Sequence, residues 1–204
     1  WSPQNESRQG ETVTDTTAAA QQPAFKKPVA SRTQRIAKCA LLVALLIVSC
    51  FFTIAIGPVP FTLQTAVVIL IALLCGPGEA ALAVGVYLLM GAIGLPVFSG
   101  MTGGIIRAST GFLFGFLVGS VAASALRIAL AKVKVPAIAA DVVAAIVYMV
   151  IADVMGLVWY VYFGGVTPVE AFGIMVAPFI GVDCVKAVLA IIVAMAVRKA
   201  MRWA

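Results

Sequence analysis

Asp183 and Lys186 stand three residues apart inside an otherwise apolar run, 178–197, and at that spacing they share one face of a helix. Ionised groups in such a run are costly to hold away from water, so they face each other or a cavity. Two readings stay open from these residues alone. The pair satisfies itself and ties helices together, or it reads a ligand. In the second case the carboxylate accepts N–H groups while the ammonium donates to a carbonyl oxygen, which suits a cyclic urea or amide. Pro178 suits the first position of the helix and sets Asp183 about a turn and a half inside it.

Arg107 lies in a glycine-rich, apolar loop, 94–110, and its charge suits either a carboxylate ligand or a headgroup contact. The loop is no phosphate-binding loop, because no Gly-Lys-Ser/Thr follows its glycines. Thr62 and Gln64, beside the short second apolar run, offer neutral polar contacts. Asp141 and Asp153 share one long apolar run. Asp141, near the run's start, is expected to be solvated or paired with Lys132 or Lys134. Asp153, near the middle, is expected at a buried helix–helix contact, with proton relay as the alternative. Trp159, Tyr160 and Tyr162 suit a membrane interface, and stacking of Trp159 on a ligand is the second possibility.

The 204 residues contain no histidine, which excludes imidazole-based nucleophilic catalysis, imidazole proton shuttling and the His-Glu-x-x-His type of zinc site. Cys39, Cys50, Cys75 and Cys184 stand singly in apolar stretches and read as small buried hydrophobes, neither a disulfide framework nor a metal cage. No resident cofactor or metal is expected. A membrane-embedded enzyme built on Asp153 and Asp183 lacks paired carboxylates and metal-ligand spacing.

The elements holding these residues are legible from composition. Apolar residues make up 63% of the chain and charged ones only 11%, where a soluble domain carries about a quarter. The chain therefore reads as an all-α integral membrane protein. Residues 1–35 are polar, interrupted by proline and without apolar periodicity, so they are expected to form a disordered cytoplasmic segment. Beginning at Trp rather than Met, the chain reads as trimmed or as carrying an expression remnant. Residues 36–204 form the transmembrane domain. Its apolar runs are 36–56, 61–75, 80–93, 111–131, 136–163 and 178–197, with a short segment, 168–177, before the last. The second and third are near 15 residues, roughly 22 Å of helix, and cross only with help from irregular backbone that lines a cavity.

Six spans place the basic clusters Lys26–Lys38, Arg127–Lys134 and Arg198–Arg202 on one side, which the positive-inside rule makes cytoplasmic along with both termini. The net charge of +6 then reflects a cell-membrane topology facing lipid, and nucleic acid is not an expected partner. Ala40 and Ala44 form a small-xxx-small pair at the cytoplasmic end of the first span, where a partner helix can approach closely.

Three stretches together resemble one family. They are Gly57-Pro-Val-Pro-Phe-Thr-Leu-Gln-Thr65, Leu88-Leu-Met-Gly-Ala-Ile-Gly-Leu-Pro-Val-Phe-Ser-Gly100 and Pro178-Phe-Ile-Gly-Val-Asp-Cys-Val-Lys-Ala187. In order and spacing they are similar to the BioY family, the biotin-specific substrate-binding (S) components of energy-coupling-factor (ECF) transporters. Arg107-Ala-Ser-Thr-Gly111 departs, standing where the family usually has Gly-Pro-Thr-Gly-Gly, and Asp153 is atypical for its span. The resemblance implies a six-helix S component that captures biotin outside and delivers it by docking on a transmembrane scaffold subunit driven by two ATPase subunits. It implies a ureido ring read by Asp183 and Lys186 and a valerate carboxylate met by Arg107. Gln64, Thr62 and Trp159 are further candidate contacts, and Ala40 and Ala44 resemble the family's docking motif. Alternatives in the same class are an S component for another small vitamin and a stand-alone biotin facilitator. The chain contains no nucleotide-binding motif, so any ATP-driven step belongs to partners.

Overall fold

A computed structural model describes residues 32–54 and 60–203; of the segment expected to be disordered, 1–35, residues 1–31 lie outside the described residues, while 32–35 are helical and open the first helix. Seven α-helices and one two-stranded hairpin are present among them. In chain order they are α1 (Arg32–Ser49), β1 (Thr53–Ile54), β2 (Phe61–Thr62), α2 (Gln64–Leu74), α3 (Pro77–Ala92), α4 (Thr110–Lys132), α5 (Ala137–Gly164), α6 (Pro168–Met175) and α7 (Ile180–Trp203). The fold is therefore mostly helical, as composition required. Three helices, α4, α5 and α7, are long and apolar enough to cross a membrane, and α2 and α3 are shorter apolar helices.

Element boundaries differ from the hydropathy runs in three places. The first helix starts at Arg32, a turn before the apolar run, and ends at Ser49 instead of near residue 56. Past it, Thr53 donates its hydroxyl to the Cys50 carbonyl at 2.5 Å, and the β-branched Thr53–Ile54 pairs antiparallel with Phe61–Thr62. Pro178 does not open α7. The backbone first turns from Val176 through Phe179, and α7 begins at Ile180, which brings Asp183 into its first turn. The short segment is a helix of its own, α6, started by a reciprocal box in which Thr167 accepts from the Glu170 backbone and Glu170 accepts from Thr167. The backbone and hydroxyl donors of Thr167 hold the exposed Glu170 carboxyl below its ordinary value.

The shortest long-range element sits at the centre. Eleven residues make α2 only about 16 Å long. It packs against α1, α3, α4, α5 and α7, and Val68, Ile69, Ile71 and Leu73 are fully buried. Its last carbonyls have no helical partners, and side chains supply donors. Arg198 donates to the Leu73 carbonyl at 3.4 Å, Lys38 to that of Leu74 at 3.5 Å, and Ser124 to that of Cys75 at 2.5 Å. Cations are the favoured partners at a helix C-terminus.

Around that end the basic clusters gather. Lys38 pairs with Glu79, in the first turn of α3, at 2.7 Å. Asp141 is neither solvated nor paired with Lys132 or Lys134. It is fully buried, receives Arg127 Nε at 2.7 Å and is held by both terminal nitrogens of Arg198. One turn inside α5, Asp141 faces α4 and α7, whereas Lys132 and Lys134 lie at and beyond the end of α4. Cys184 also departs from expectation: it is exposed on α7, while Cys39, Cys50 and Cys75 are buried.

The most extensive helix pair is α4 against α5. Gly111, Gly115 and Gly119 recur every fourth residue along the contact. A Cβ at Gly115 would stand 2.7 Å from the Cα of Ala152, so only glycine permits this approach. The backbone contact sets the rotation of α5, and with it the direction of Tyr148 and Asp153.

The clasp at Asp141 gives a stability prediction. Asp141→Ala leaves two guanidinium groups crowded against each other without their counterion, and should cost about 3–5 kcal/mol. Thermal unfolding in detergent should show the loss, and adding Arg198→Met should restore part of it. A single variant as stable as the parent would show that the clasp contributes nothing.

Candidate functional site

At the end of the bundle opposite the basic clusters, the β1–β2 hairpin, the loop 93–109, α5 and the start of α7 enclose a cavity. Its empty volume is about 670 Å³ counted out to its open mouth. The walls are mainly apolar, from Phe61, Phe112, Leu113, Phe116, Met149 and Met175, with a few polar groups among them.

Asp183 and Lys186 are on this wall. Their separation is 2.8 Å, and both side chains are largely buried. The Lys186 ammonium also sits 3.9 Å from the centroid of the Phe61 ring, a cation–π contact across the hairpin. Because Asp183 lies in the first turn of α7, the free N–H groups there favour its negative charge. The pair is thus held from three sides and still borders open space. A carboxylate retains lone pairs beyond the one facing lysine, and an ammonium retains donors, so both can engage a neutral amide.

Thr62 and Gln64 line the same cavity. Gln64 is 1% exposed and locked at the N-terminal end of α2. Its amide donates to the Tyr87 hydroxyl, and its carbonyl oxygen accepts from Ser99 at 2.8 Å. Tyr87 passes the chain on to the Val97 carbonyl at 3.0 Å and meets Cys50 at 3.3 Å. This network ties the irregular loop 93–109 to α2 and α3, so the loop forms a fixed wall. A slender bridge between Phe98 and Thr102 is its one regular feature among the described residues.

Arg107 and Trp159 are not among the lining residues. The Arg107 guanidinium donates to the Thr102 hydroxyl at 2.5 Å, and Trp159 Nε1 donates to the Arg107 carbonyl at 2.9 Å. Trp159 stacks on Phe163 with ring centroids 6.3 Å apart. Both residues brace the loop above the cavity. Ala40 and Ala44 lie elsewhere, on an exposed apolar groove between α1 and α3 with Cys39, Val43, Leu82 and Val86.

Two lining residues escape the sequence expectations. Asp153 borders the cavity, and no hydrogen-bond partner for it is present among the described residues. Tyr148 is completely buried, and its hydroxyl is the sole buried side-chain polar atom without a partner among the described residues. A phenol midway along an apolar helix is itself a signal, but which side it faces depends on the α4 contact. Among the described residues no group of three His, Cys, Asp or Glu side chains could hold a metal ion.

Known proteins resemble this chain throughout the described region. The sequence model of the BioY family matches residues 19–203. The biotin transporter BioY of Thermotoga maritima is 34% identical over 172 residues, which cover 81% of this chain and 96% of the relative. The probable biotin transporter BioY of Pyrococcus horikoshii is 34% identical over 166 residues, covering 80% and 95%. The biotin transporter BioY2 of Lactococcus lactis subsp. cremoris is 36% identical over 165 residues, covering 79% and 88%. A crystal structure of the S-component for biotin from an ECF-type ABC transporter shares the fold, with a TM-score of 0.75 and 23% identity over 82% of this chain and 92% of that one. With a family match over nearly its whole length and relatives above 30% identity, this chain belongs to the BioY family.

Proposed function

We propose that this chain is the substrate-binding subunit of a biotin transporter, capturing biotin on the outer side of the cell membrane. The observation that carries this is the Asp183–Lys186 pair, whose members stand 2.8 Å apart on the wall of a mainly apolar cavity. A cyclic urea presents an N–H and a carbonyl oxygen side by side, and the pair presents an acceptor and a donor in the same way. The apolar walls suit the fused thioether ring and aliphatic chain. Arg107, bracing the loop above, carries the charge that suits the valerate carboxylate. Gln64 and Thr62 complete the polar side, and Trp159 holds Arg107 by its backbone carbonyl.

In this reading α1, α2, α3, α4, α5 and α7 are the six spans, and α6 lies at the outer surface. The residues that precede α1 stand on the cytoplasmic side, with both termini inside. The end carrying the Arg127–Asp141–Arg198 clasp is cytoplasmic, in accord with its basic character. The α1–α3 groove around Ala40 and Ala44 is the docking face for a transmembrane scaffold subunit, which two ATPase subunits drive. Energy for release comes from those partners, because binding alone cannot move a ligand uphill.

Removing either member of the charged pair should abolish tight biotin binding. Asp183→Asn keeps an oxygen but loses charge assistance, which contributes about 1.5–3 kcal/mol, or roughly ten- to a hundredfold in affinity. Lys186→Ala removes the donor and strands Asp183, so its effect should be at least as large. Calorimetry with purified protein, alongside melting temperatures, checks this. Unchanged biotin binding in the double variant Asp183→Asn/Lys186→Met would leave the pair a helix clamp and no more.

Topology is tested by accessibility. Ile106 and Val169, each more than four-fifths exposed, should react from outside intact cells when replaced by cysteine in a Cys184→Ala background. A cysteine at Val133, between α4 and α5, should react only after lysis. The reverse pattern would invert the assignment.

Docking is tested by bulk. Ala40→Leu and Ala44→Leu should impair uptake by the assembled transporter while leaving biotin binding by the isolated subunit intact, since both side chains are exposed. Normal uptake with both leucines present would place the partner elsewhere.

A further inference from the structure

The Asp183–Lys186 pair accounts for only half of a cyclic urea. Such a ring offers two N–H donors and a carbonyl oxygen with two lone pairs, and each group buried without a partner weakens binding. Asp183 accepts one N–H, and Lys186 fills one lone pair. Two groups at the cavity remain unpaired among the described residues, and both are on α5. Asp153 has no hydrogen-bond partner among the described residues and borders the cavity. The Tyr148 hydroxyl is buried, lacks a partner, belongs to a residue lining the same cavity, and lies within the electrostatic reach of both Asp153 and Asp183.

We infer that Tyr148 and Asp153 form the second half of the ureido site, on the α5 wall facing the α7 pair. This deepens the biotin reading and rests on it. Asp153 accepts the second N–H, and Tyr148 donates to the remaining lone pair of the ureido oxygen. The four contacts match the ring's donors and acceptors one for one, two from α5 and two from α7. The phenol has no partner within the protein because the ligand supplies it. A tyrosine kept for packing alone has no such requirement, and phenylalanine would serve as well. The close approach of α4 at Gly115 positions this wall, since Ala152 backs directly on that glycine between Tyr148 and Asp153.

The test pairs variants with altered ligands. The full chain in detergent is titrated with biotin and with two cyclic carbamate analogues, each having one ureido N–H replaced by oxygen. Asp153→Ala should lose roughly ten- to a hundredfold in biotin affinity, and Tyr148→Phe about three- to tenfold. Against the carbamate lacking the N–H that Asp153 serves, Asp153→Ala should cost nothing further, whereas Asp183→Ala still should. The other carbamate should show the opposite pattern. Tyr148→Phe removes a single oxygen, so it carries the test even if Asp153→Ala folds poorly. Wild-type biotin affinity in Asp153→Ala and Tyr148→Phe overturns the assignment. An equal loss for Asp153→Ala on biotin and both carbamates also overturns it, marking a general charge or packing effect. Failure of the unaltered chain to bind biotin would instead overturn the ligand reading itself.

Discussion

A helix of eleven residues at the centre of a membrane bundle leaves orphan backbone groups at both ends, and side chains from the surrounding helices meet those at its C-terminal end. The fold follows from how α2 meets this constraint. At its C-terminal end, three carbonyls draw in Arg198, Lys38 and Ser124 from α7, α1 and α4. At its N-terminal end, Gln64 joins Tyr87 and Ser99 and thereby anchors the irregular loop. The same short helix thus organises a charged, closed end and a polar, open one. Shortening α2 is what leaves room above it for a cavity.

Ionised groups in this bundle obey a second rule, that a charge out of water is paired. Lys38 has Glu79, Asp141 has two arginines, and Lys186 has Asp183 and the face of Phe61. The exceptions cluster in one place. Asp153 and the Tyr148 hydroxyl, both at the cavity, have no hydrogen-bond partner among the described residues. The distribution of satisfied and unsatisfied groups therefore separates scaffold from site more sharply than hydrophobicity does.

The arrangement also divides labour between helix faces. The cavity is closed by α4, α5 and α7 with the hairpin, while the α1–α3 groove lies outside it and shares none of its lining. The cavity and the groove are therefore separate surfaces with no residue in common. Lys38 and Glu79 bridge α1 and α3 near the end of that groove and hold the two helices in register.

Local spacing sufficed for part of this. Helix positions followed from apolar runs and Gly/Pro breaks, and Asp183 and Lys186 met because residues three apart share a helix face whatever the fold. The family was legible in three short stretches, and the constraint of short second and third helices was visible in their lengths. The rest required tertiary structure. Asp141 lies 57 residues from Arg198, and nothing local preferred that partner over Lys132 or Lys134. The first span's length was overestimated because Phe51–Ile54 is as apolar as helix, and strand pairing with Phe61–Thr62 decided its conformation. Tyr148 and Asp153 were visible as polar residues in an apolar helix, but which way they point is a rotation. The glycine face of α4 set that rotation, since only one orientation brings two backbones so close.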